Sequence, residues 1–311
     1  MPSIETHGLT KHYGDDVTAV DNLGLTVEPG EVFGFLGPNG AGKSTTINML
    51  LDFVRPTSGE ITVLGYDPRT DPRAVRERTG VLPEATGFYE QDTARDHLRF
   101  ATAMKRTNDD PDALLERVGI ADAADRPVGG FSKGMRQRLG LAIALVGSPE
   151  LLVLDEPLGG LDPSGARLLR EVVREERDRG AAVFFSSHIM DQVETVCDRV
   201  GIMHDGHLVA VDTIESLHAS SEMPTTVSLS VEMTPEGITD ELTALSGVSD
   251  ATIRNGSVLV ECADPRAKAD AIARLDEEGV PLLDINTEAS SLEEVFLAIT
   301  DGSETKDVSN V

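Results

Sequence analysis

The chain has no tryptophan, and aromatic residues make up only 4% of its 311 residues. Its two cysteines, Cys197 and Cys262, stand far apart and form no pair at metal-ligand spacing. This excludes a disulfide scaffold and a zinc ribbon, and it is typical of a reducing cytoplasm. No stretch approaches the ~18 consecutive apolar residues of a membrane-spanning helix. The first twelve residues contain Glu5 and no long apolar core, so we expect no secretory signal.

Lysine is scarce as well, since six lysines stand beside 21 arginines and 54 acidic residues, and the formal net charge is −27. A carboxylate-rich surface with few lysines stays hydrated in concentrated salt, where screening removes the repulsion between like charges. We interpret the composition as an adaptation to a salty cytoplasm. The alternative is an acidic face for a basic partner. Nucleic acid is not an expected partner, because phosphate contacts need a basic surface.

The pattern of residues divides the chain in two. The segment from Ser221 to Val311 carries a net charge of −14, and it follows a break at His218–Pro224 that is typical of a short linker. We therefore predict one domain over residues 1–220, a second over 225–302, and a frayed polar tail over 303–311.

The first domain has the pattern of an α/β fold. Short apolar runs predict buried parallel strands, and amphipathic patterns after them predict helices on the faces of the sheet. A weaker all-β pattern surrounds the first helix. The predicted strands are Val32–Leu36, Leu151–Leu154 and Ala182–Phe185, the helices are Lys43–Phe53, Gly134–Leu145 and Ala166–Arg179, and the further β segments are Ile4–Leu9, Leu23–Val27 and Glu60–Val63.

The segment after Pro224 alternates strands and helices in the order of a small ferredoxin-like α+β unit. The predicted strands are Thr226–Val231, Asp250–Arg254, Val258–Cys262 and Leu282–Asn286, and the predicted helices are Thr239–Leu245, Arg266–Glu277 and Leu292–Thr300.

A glycine-rich run between the first buried strand and the first helix matches the phosphate-loop pattern at every fixed position. Its glycines allow a tight turn that directs backbone amides at phosphate oxygens, and the helix adds its positive N-terminal end. We expect Lys43 to reach the β- and γ-phosphates and the Ser44 hydroxyl to ligate Mg²⁺. The nucleotide-binding residues are predicted to be Gly37, Pro38, Asn39, Gly40, Ala41, Gly42, Lys43, Ser44 and Thr45.

Polar residues follow two further buried strands, and ligands of open parallel sheets sit at the carboxyl ends of the strands. Asp155 and Glu156 follow the strand that begins at Leu151. We expect Asp155 to hold Mg²⁺ and Glu156 to orient or deprotonate the attacking water. His188 follows the strand that begins at Ala182, and we expect it to donate a hydrogen bond to the γ-phosphate.

With these motifs in order, the chain resembles the ATP-binding cassette (ABC) family, the ATPase subunits of ABC transporters, over about residues 3–220. The most diagnostic element is the run Phe131-Ser-Lys-Gly-Met-Arg-Gln-Arg138, which resembles the family signature. The resemblance implies that amides at Ser132 and Gly134 grip the nucleotide. It also implies that Tyr13 stacks on adenine and that Asp162, in Gly160-Leu-Asp-Pro163, lies in the loop that crosses to a partner subunit.

Two positions depart from the family pattern. The family usually has glutamine where this chain has Glu84, whose carboxylate we expect to meet Mg²⁺. Whether Glu84 couples to a membrane subunit as glutamine does is left open. The signature also has Phe-Ser-Lys-Gly-Met in place of the commoner Leu-Ser-Gly-Gly-Gln, although the serine and the second glycine remain.

The resemblance implies a P-loop ABC ATPase domain with a parallel core sheet, an antiparallel β subdomain and a helical subdomain. It implies an ATP- and Mg²⁺-dependent ATPase of the exporter-like branch that acts as a head-to-tail dimer. Such a protein lies on the cytoplasmic face of the membrane, on a separate multi-spanning subunit. A soluble ABC protein without a transport role and a nucleotide-gated binding module without turnover are the alternatives.

A histidine pair outside these motifs is the remaining metal candidate. His204 and His207 flank an Asp-Gly pair between two apolar runs, which favours a hairpin turn over a metal site.

Overall fold

The computed structural model describes residues 1–14, 16–220, 225–233, 237–254, 256–263, 265–288, 292–294 and 296–297. The chain divides into two compact units, Met1–Ile214 and Glu215–Val311. The sequence pattern placed this division at residues 220–225.

The first unit combines strands and helices in the alternation that the sequence predicts. Its strands are β1 (Ile4–Tyr13), β2 (Val17–Val27), β3 (Val32–Leu36), β4 (Ser58–Val63), β5 (Thr79–Leu82), β6 (Leu151–Asp155), β7 (Ala182–Ser187), β8 (Arg199–His204) and β9 (His207–Thr213). Its helices are α1 (Lys43–Leu50), α2 (Pro72–Arg78), α3 (Ala94–Lys105), α4 (Pro111–Arg117), α5 (Lys133–Leu145), α6 (Pro163–Asp178) and α7 (Met190–Glu194), and α8 (Ile214–Ser220) starts at the division.

The main sheet has the strand order β5-β6-β7-β3-β8-β9. Its first five strands are parallel, and β9 returns antiparallel to β8. Strands β3, β6 and β7 are buried along their whole length, which explains their continuous apolar runs. Because β7 pairs with both β3 and β6, the carboxyl ends of these three strands lie side by side.

A second, antiparallel sheet has the order β2-β1-β4 and shares its apolar core with the main sheet. Helices α3, α4 and α5 contact one another and supply the helical part of the unit. The parallel core sheet, the antiparallel β subdomain and the helical subdomain expected from the sequence are therefore all present.

Two helices of the first unit differ from the sequence prediction by three residues at one end. Helix α1 ends at Leu50 instead of Phe53, because Asp52 has a left-handed φ of 56° and the Phe53 amide returns to the Asn48 carbonyl. Helix α6 begins at Pro163 instead of Ala166, because Asp162 caps it and proline is favoured in a first turn.

The predicted hairpin at the histidine pair is confirmed. Strands β8 and β9 pair His204 with His207, and Asp205 and Gly206 turn between them with φ values of 45° and 82°. The described residues include no group of three or more histidine, cysteine, aspartate or glutamate side chains that can hold a metal.

The second unit has the predicted ferredoxin-like order of elements. These are β10 (Thr225–Val231), α9 (Ile238–Thr243), β11 (Val248–Arg254), β12 (Ser257–Cys262), α10 (Pro265–Glu277) and β13 (Leu282–Glu288). The four strands form an antiparallel sheet with the order β11-β12-β10-β13. The helix predicted at Leu292–Thr300 falls only partly within the described residues, and the predicted tail at 303–311 lies outside them.

Among the described residues, every helix is too short or too polar to span a lipid bilayer.

Candidate active site

The loop between β3 and α1 is built around glycines that no other residue can replace without strain. Gly42 directly precedes α1 with φ 107°, and a Cβ atom there would lie 2.3 Å from the Ala19 carbonyl oxygen. Gly37 has φ 153°, and a Cβ atom there would lie 2.4 Å from the Met203 carbonyl oxygen. The loop is therefore pressed against two neighbouring strands, and the N-terminus of α1 is left facing a cleft, as anion sites at helix ends require.

Lys43 folds back over this loop. Its ammonium donates hydrogen bonds to the carbonyl oxygens of Gly37 at 2.6 Å and Pro38 at 3.1 Å, and the residue is only 6% exposed. Burial lowers the pKa of Lys43, while the charges of Glu156, Asp155 and Glu84 raise it. The ammonium is thus held against the loop by two neutral carbonyls, with the three carboxylates nearby.

Asp155 ends strand β6 as a buried carboxylate. The Ser186 hydroxyl on β7 donates a hydrogen bond to its Oδ1 at 2.5 Å. Burial raises the pKa of Asp155, the Ser186 hydrogen bond lowers it, and the charges of Glu84 and Glu156 raise it further. Burial therefore disfavours the charged form of Asp155, and a cation bound beside it would stabilise that form.

Glu156 follows Asp155 with a left-handed φ of 47°, which is unusual for glutamate. Its amide donates to the Ser186 carbonyl at 3.2 Å, and its Oε1 lies 2.9 Å from Nδ1 of His188. Backbone strain of this kind is concentrated at functional sites, where the surrounding structure enforces it.

These elements bring most of the predicted site residues together. The carboxylate of Glu84 and the imidazole of His188 reach the same cleft as the phosphate loop. The cleft is lined by Ala19, Asn39, Gly40, Gly42, Lys43, Ser44, Thr45, Glu84, Glu156 and His188.

The side chains here fit Mg²⁺. The Ser44 hydroxyl and the carboxylates of Asp155 and Glu84 are hard oxygen donors, which Mg²⁺ prefers. Mg²⁺ usually takes one or two carboxylates and completes its shell with phosphates and water. Asp155 is a buried carboxylate close to the charges of Glu84 and Glu156, and this donor chemistry fits such a site.

The signature residues lie elsewhere in the unit. Ser132 caps α5 and accepts a hydrogen bond from the Met135 amide at 3.2 Å. Asp162 caps α6 and accepts from the Gly165 amide at 2.9 Å and from Arg138 at 3.3 Å. Ser132, Gly134 and Asp162 line a second cleft, and none of them is among the described residues that line the first.

Tyr13 ends strand β1 and is 44% exposed. The Lys11 ammonium lies 4.9 Å from the centroid of its ring. Tyr13 is not among the described lining of the first cleft, so its role against adenine stays a prediction.

Sequence reasoning missed three residues around the site. Ala19 lines the first cleft, Ser186 contacts both acidic residues, and buried Gln137 donates to the Pro157 carbonyl at 3.0 Å. Two of them had a sequence signal: Ser186 is a polar residue at the end of a buried strand, and Gln137 lies within the signature run.

Comparison with known proteins adds independent findings. The sequence model of the ABC transporter family matches residues 20–159. The chain is 43% identical over 209 residues to the bacitracin transport ATP-binding protein BcrA of Bacillus licheniformis, which covers 66% of this chain and 68% of that protein. It is 31% identical over 309 residues to the linearmycin resistance ATP-binding protein LnrL of Bacillus subtilis (strain 168). That match covers 96% of this chain and 98% of LnrL. A solved ATP-binding subunit of an ABC transporter matches with a TM-score of 0.65 and 30% identity, over 70% of this chain and 92% of that one.

Proposed function

This chain belongs to the family of ABC transporter ATP-binding subunits, and from that premise we propose how its residues share the work of ATP hydrolysis. It is an exporter-like ATPase that binds and hydrolyses ATP to power transport through a separate membrane subunit. One observation carries the proposal: Lys43, Glu156 and His188 line one cleft, at the adjoining ends of β3, β6 and β7.

The phosphates of ATP lie on the loop that leads into α1. Backbone amides of the loop Gly37–Gly42 and the start of α1 bind the phosphate oxygens, and the Lys43 ammonium exchanges its two carbonyl partners for the β- and γ-phosphates. Tyr13 stacks on the adenine ring.

The Ser44 hydroxyl, Asp155 and Glu84 would hold Mg²⁺. When bound, Mg²⁺ neutralises the charge that develops on the transferred phosphoryl group. Glu84 takes the place of the usual glutamine and supplies a charged oxygen to the same cleft.

Glu156 is the general base of the site. Its left-handed backbone presents the carboxylate to the cleft, where it accepts a proton from the attacking water. His188, whose Nδ1 lies 2.9 Å from Oε1 of Glu156, donates a hydrogen bond to the γ-phosphate.

A second copy of the chain completes each site. Ser132, Gly134 and Asp162 line a cleft of their own, so they contact ATP bound at the first cleft of a partner in a head-to-tail dimer. Two-fold symmetry then forms two such sites at once.

Residues 1–220 form the ATP-binding domain and 225–302 an accessory domain. The dimer binds peripherally to a multi-spanning subunit at the cytoplasmic face of the membrane. The names of the relatives, which refer to bacitracin transport and linearmycin resistance, support export as the direction.

Phosphate release from ATP tests the proposal, with the purified chain in molar KCl, alone and with its membrane subunit. We expect turnover that requires Mg²⁺ and disappears in Lys43→Ala. Turnover that persists in EDTA, or in Lys43→Ala, contradicts the assigned roles.

A further inference from the structure

Ser186 stands opposite Asp155 in the parallel ladder between β6 and β7. It is fully buried, and its hydroxyl is the donor that reaches the Asp155 carboxylate, at 2.5 Å from Oδ1. The register of the two strands therefore places the Ser186 hydroxyl against one oxygen of the Asp155 carboxylate.

The same serine holds the next residue in the chain. The Glu156 amide lies 3.2 Å from the Ser186 hydroxyl oxygen and also 3.2 Å from the Ser186 carbonyl oxygen. A hydroxyl has one proton to donate and lone pairs to accept with. Since the Glu156 amide can only donate, the Ser186 proton is directed to Asp155.

We propose that Ser186 is a positioning residue for both acidic groups: it orients the Asp155 carboxylate toward Mg²⁺ and anchors the left-handed turn that presents Glu156. This inference rests on the proposed function, which places Mg²⁺ at Asp155. The torsion at the end of an aspartate side chain is broad, so a buried carboxylate needs a hydrogen bond to select one orientation. Metal sites depend on partners of this kind behind their ligands.

The adjacent residue Ser187 provides a matched control. It is buried to 1% exposure on the same strand, and its hydroxyl accepts a hydrogen bond from the Ile189 amide at 3.0 Å. Replacing either serine by alanine removes one buried hydroxyl, but only Ser186 contacts Asp155.

The experiment measures Mn²⁺ binding to the full-length protein with ADP, from the loss of the free-Mn²⁺ EPR signal. We expect Ser186→Ala to weaken Mn²⁺ binding ~10- to 100-fold, the usual cost of losing such a partner. ADP affinity in EDTA should stay within about twofold of wild type, because the phosphate loop is untouched. Ser187→Ala should leave both values unchanged.

Two more variants address folding. Ser186→Thr keeps the hydroxyl and should recover Mn²⁺ affinity, whereas Ser186→Cys keeps the size but has a weak donor and should lose it. If Ser186→Ala does not fold, the difference in Mn²⁺ affinity between Ser186→Thr and Ser186→Cys tests the role of the hydroxyl.

The variant Asp155→Asn distinguishes a failure of the role proposed for Ser186 from a failure of the Mg²⁺ assignment at Asp155. If Asp155→Asn loses Mn²⁺ affinity while the Ser186 variants match wild type, the role of Ser186 is overturned and the metal assignment stands. If Asp155→Asn itself binds Mn²⁺ as wild type does, the metal assignment fails. Weaker Mn²⁺ binding in both Asp155→Asn and Ser186→Ala, with Ser187→Ala unaffected, supports the positioning role.

Discussion

Nδ1 of His188 lies 2.9 Å from Oε1 of Glu156, although the two residues follow different strands of the main sheet. Glu156 is largely buried at this point and His188 is half-exposed to the cleft. The carboxylate therefore fixes the orientation of the imidazole, and the proposed base and the proposed γ-phosphate donor act as one pair.

Replacing Glu156 by glutamine should separate ATP binding from turnover. Glutamine keeps the size of the side chain and a polar contact with His188, but it does not accept a proton from water. Loss of a positioned base costs roughly 10²- to 10⁴-fold in rate. We expect phosphate release to fall by that amount in Glu156→Gln, while binding of a fluorescent ATP analogue stays close to wild type.

Glu84, which follows strand β5 and lines the same cleft, serves as a comparison for this experiment. Glu84→Gln restores the glutamine usual in the family, so it should retain substantial turnover. Near-normal turnover in Glu156→Gln would remove Glu156 from the role of base.

Asp155 should reduce the stability of the protein at neutral pH in the absence of nucleotide and Mg²⁺. Burial raises the pKa of Asp155 above its ordinary 3.8, so the folded state favours the protonated form. Protonated Asp155 makes its full contribution to folding stability below pH 3.8. This contribution is lost as the pH rises through the pKa that Asp155 has in the folded state. Asp155→Asn should therefore melt at a higher temperature than wild type at pH 7, and this gain should shrink as the pH falls toward 4.

Asp162 provides the control of opposite sign. The Ser164 hydroxyl, the Gly165 amide and the Arg138 side chain lower the pKa of Asp162, so its ionised form stabilises the fold. Asp162→Asn should lower the melting temperature at neutral pH, and the loss should fade in acid. A lower melting temperature for Asp155→Asn at pH 7 would contradict the prediction, because it would show that the contacts of the ionised Asp155 carboxylate outweigh the cost of its burial.

The three central strands of the main sheet and the glycine-rich loop after the first of them could be predicted because their signals are local. A run such as Val32–Leu36 is apolar throughout only where both faces of a strand are buried, and the glycines after it specify one type of loop. The convergence of Glu156 and His188 on one cleft was implied by the rule that carboxyl ends of parallel strands share an edge, whereas their direct contact was not predicted.

Contacts set by strand register could not be predicted in the same way. Ser186 meets Asp155 only because β6 and β7 pair in one register, and a single sequence does not contain that information. The end of α1 was missed for a related reason: aspartate adopts a left-handed φ more readily than most residues, but a single sequence does not show that Asp52 does so.

Salt should stabilise the protein. The chain carries a net charge of −27, and screening shortens the range of repulsion to about 3 Å in molar salt. Exposed ion pairs such as Arg73–Glu77 weaken under the same conditions, but pairs this open to solvent contribute little to stability. We expect the melting temperature to rise across a KCl series. A steady fall with added KCl would show that the ion pairs outweigh the net repulsion.

Mixing two inactive variants should restore activity if each ATP is shared between two copies. Lys43→Ala disables the phosphate loop, and Ser132→Arg blocks the signature turn, which lines a separate cleft of the same chain. Each variant alone should be nearly inactive.

A heterodimer of the two variants contains one site with both halves intact, so part of the wild-type phosphate release should return on mixing, with the membrane subunit present to assemble the copies. Cross-linking confirms that heterodimers form, and mixing each variant with wild type is the control for dilution. Full activity of Ser132→Arg on its own would contradict the shared site most directly, because the signature turn would then make no contact with the nucleotide. Heterodimers without recovered activity would mean either that the site is not shared or that both sites must be intact for turnover.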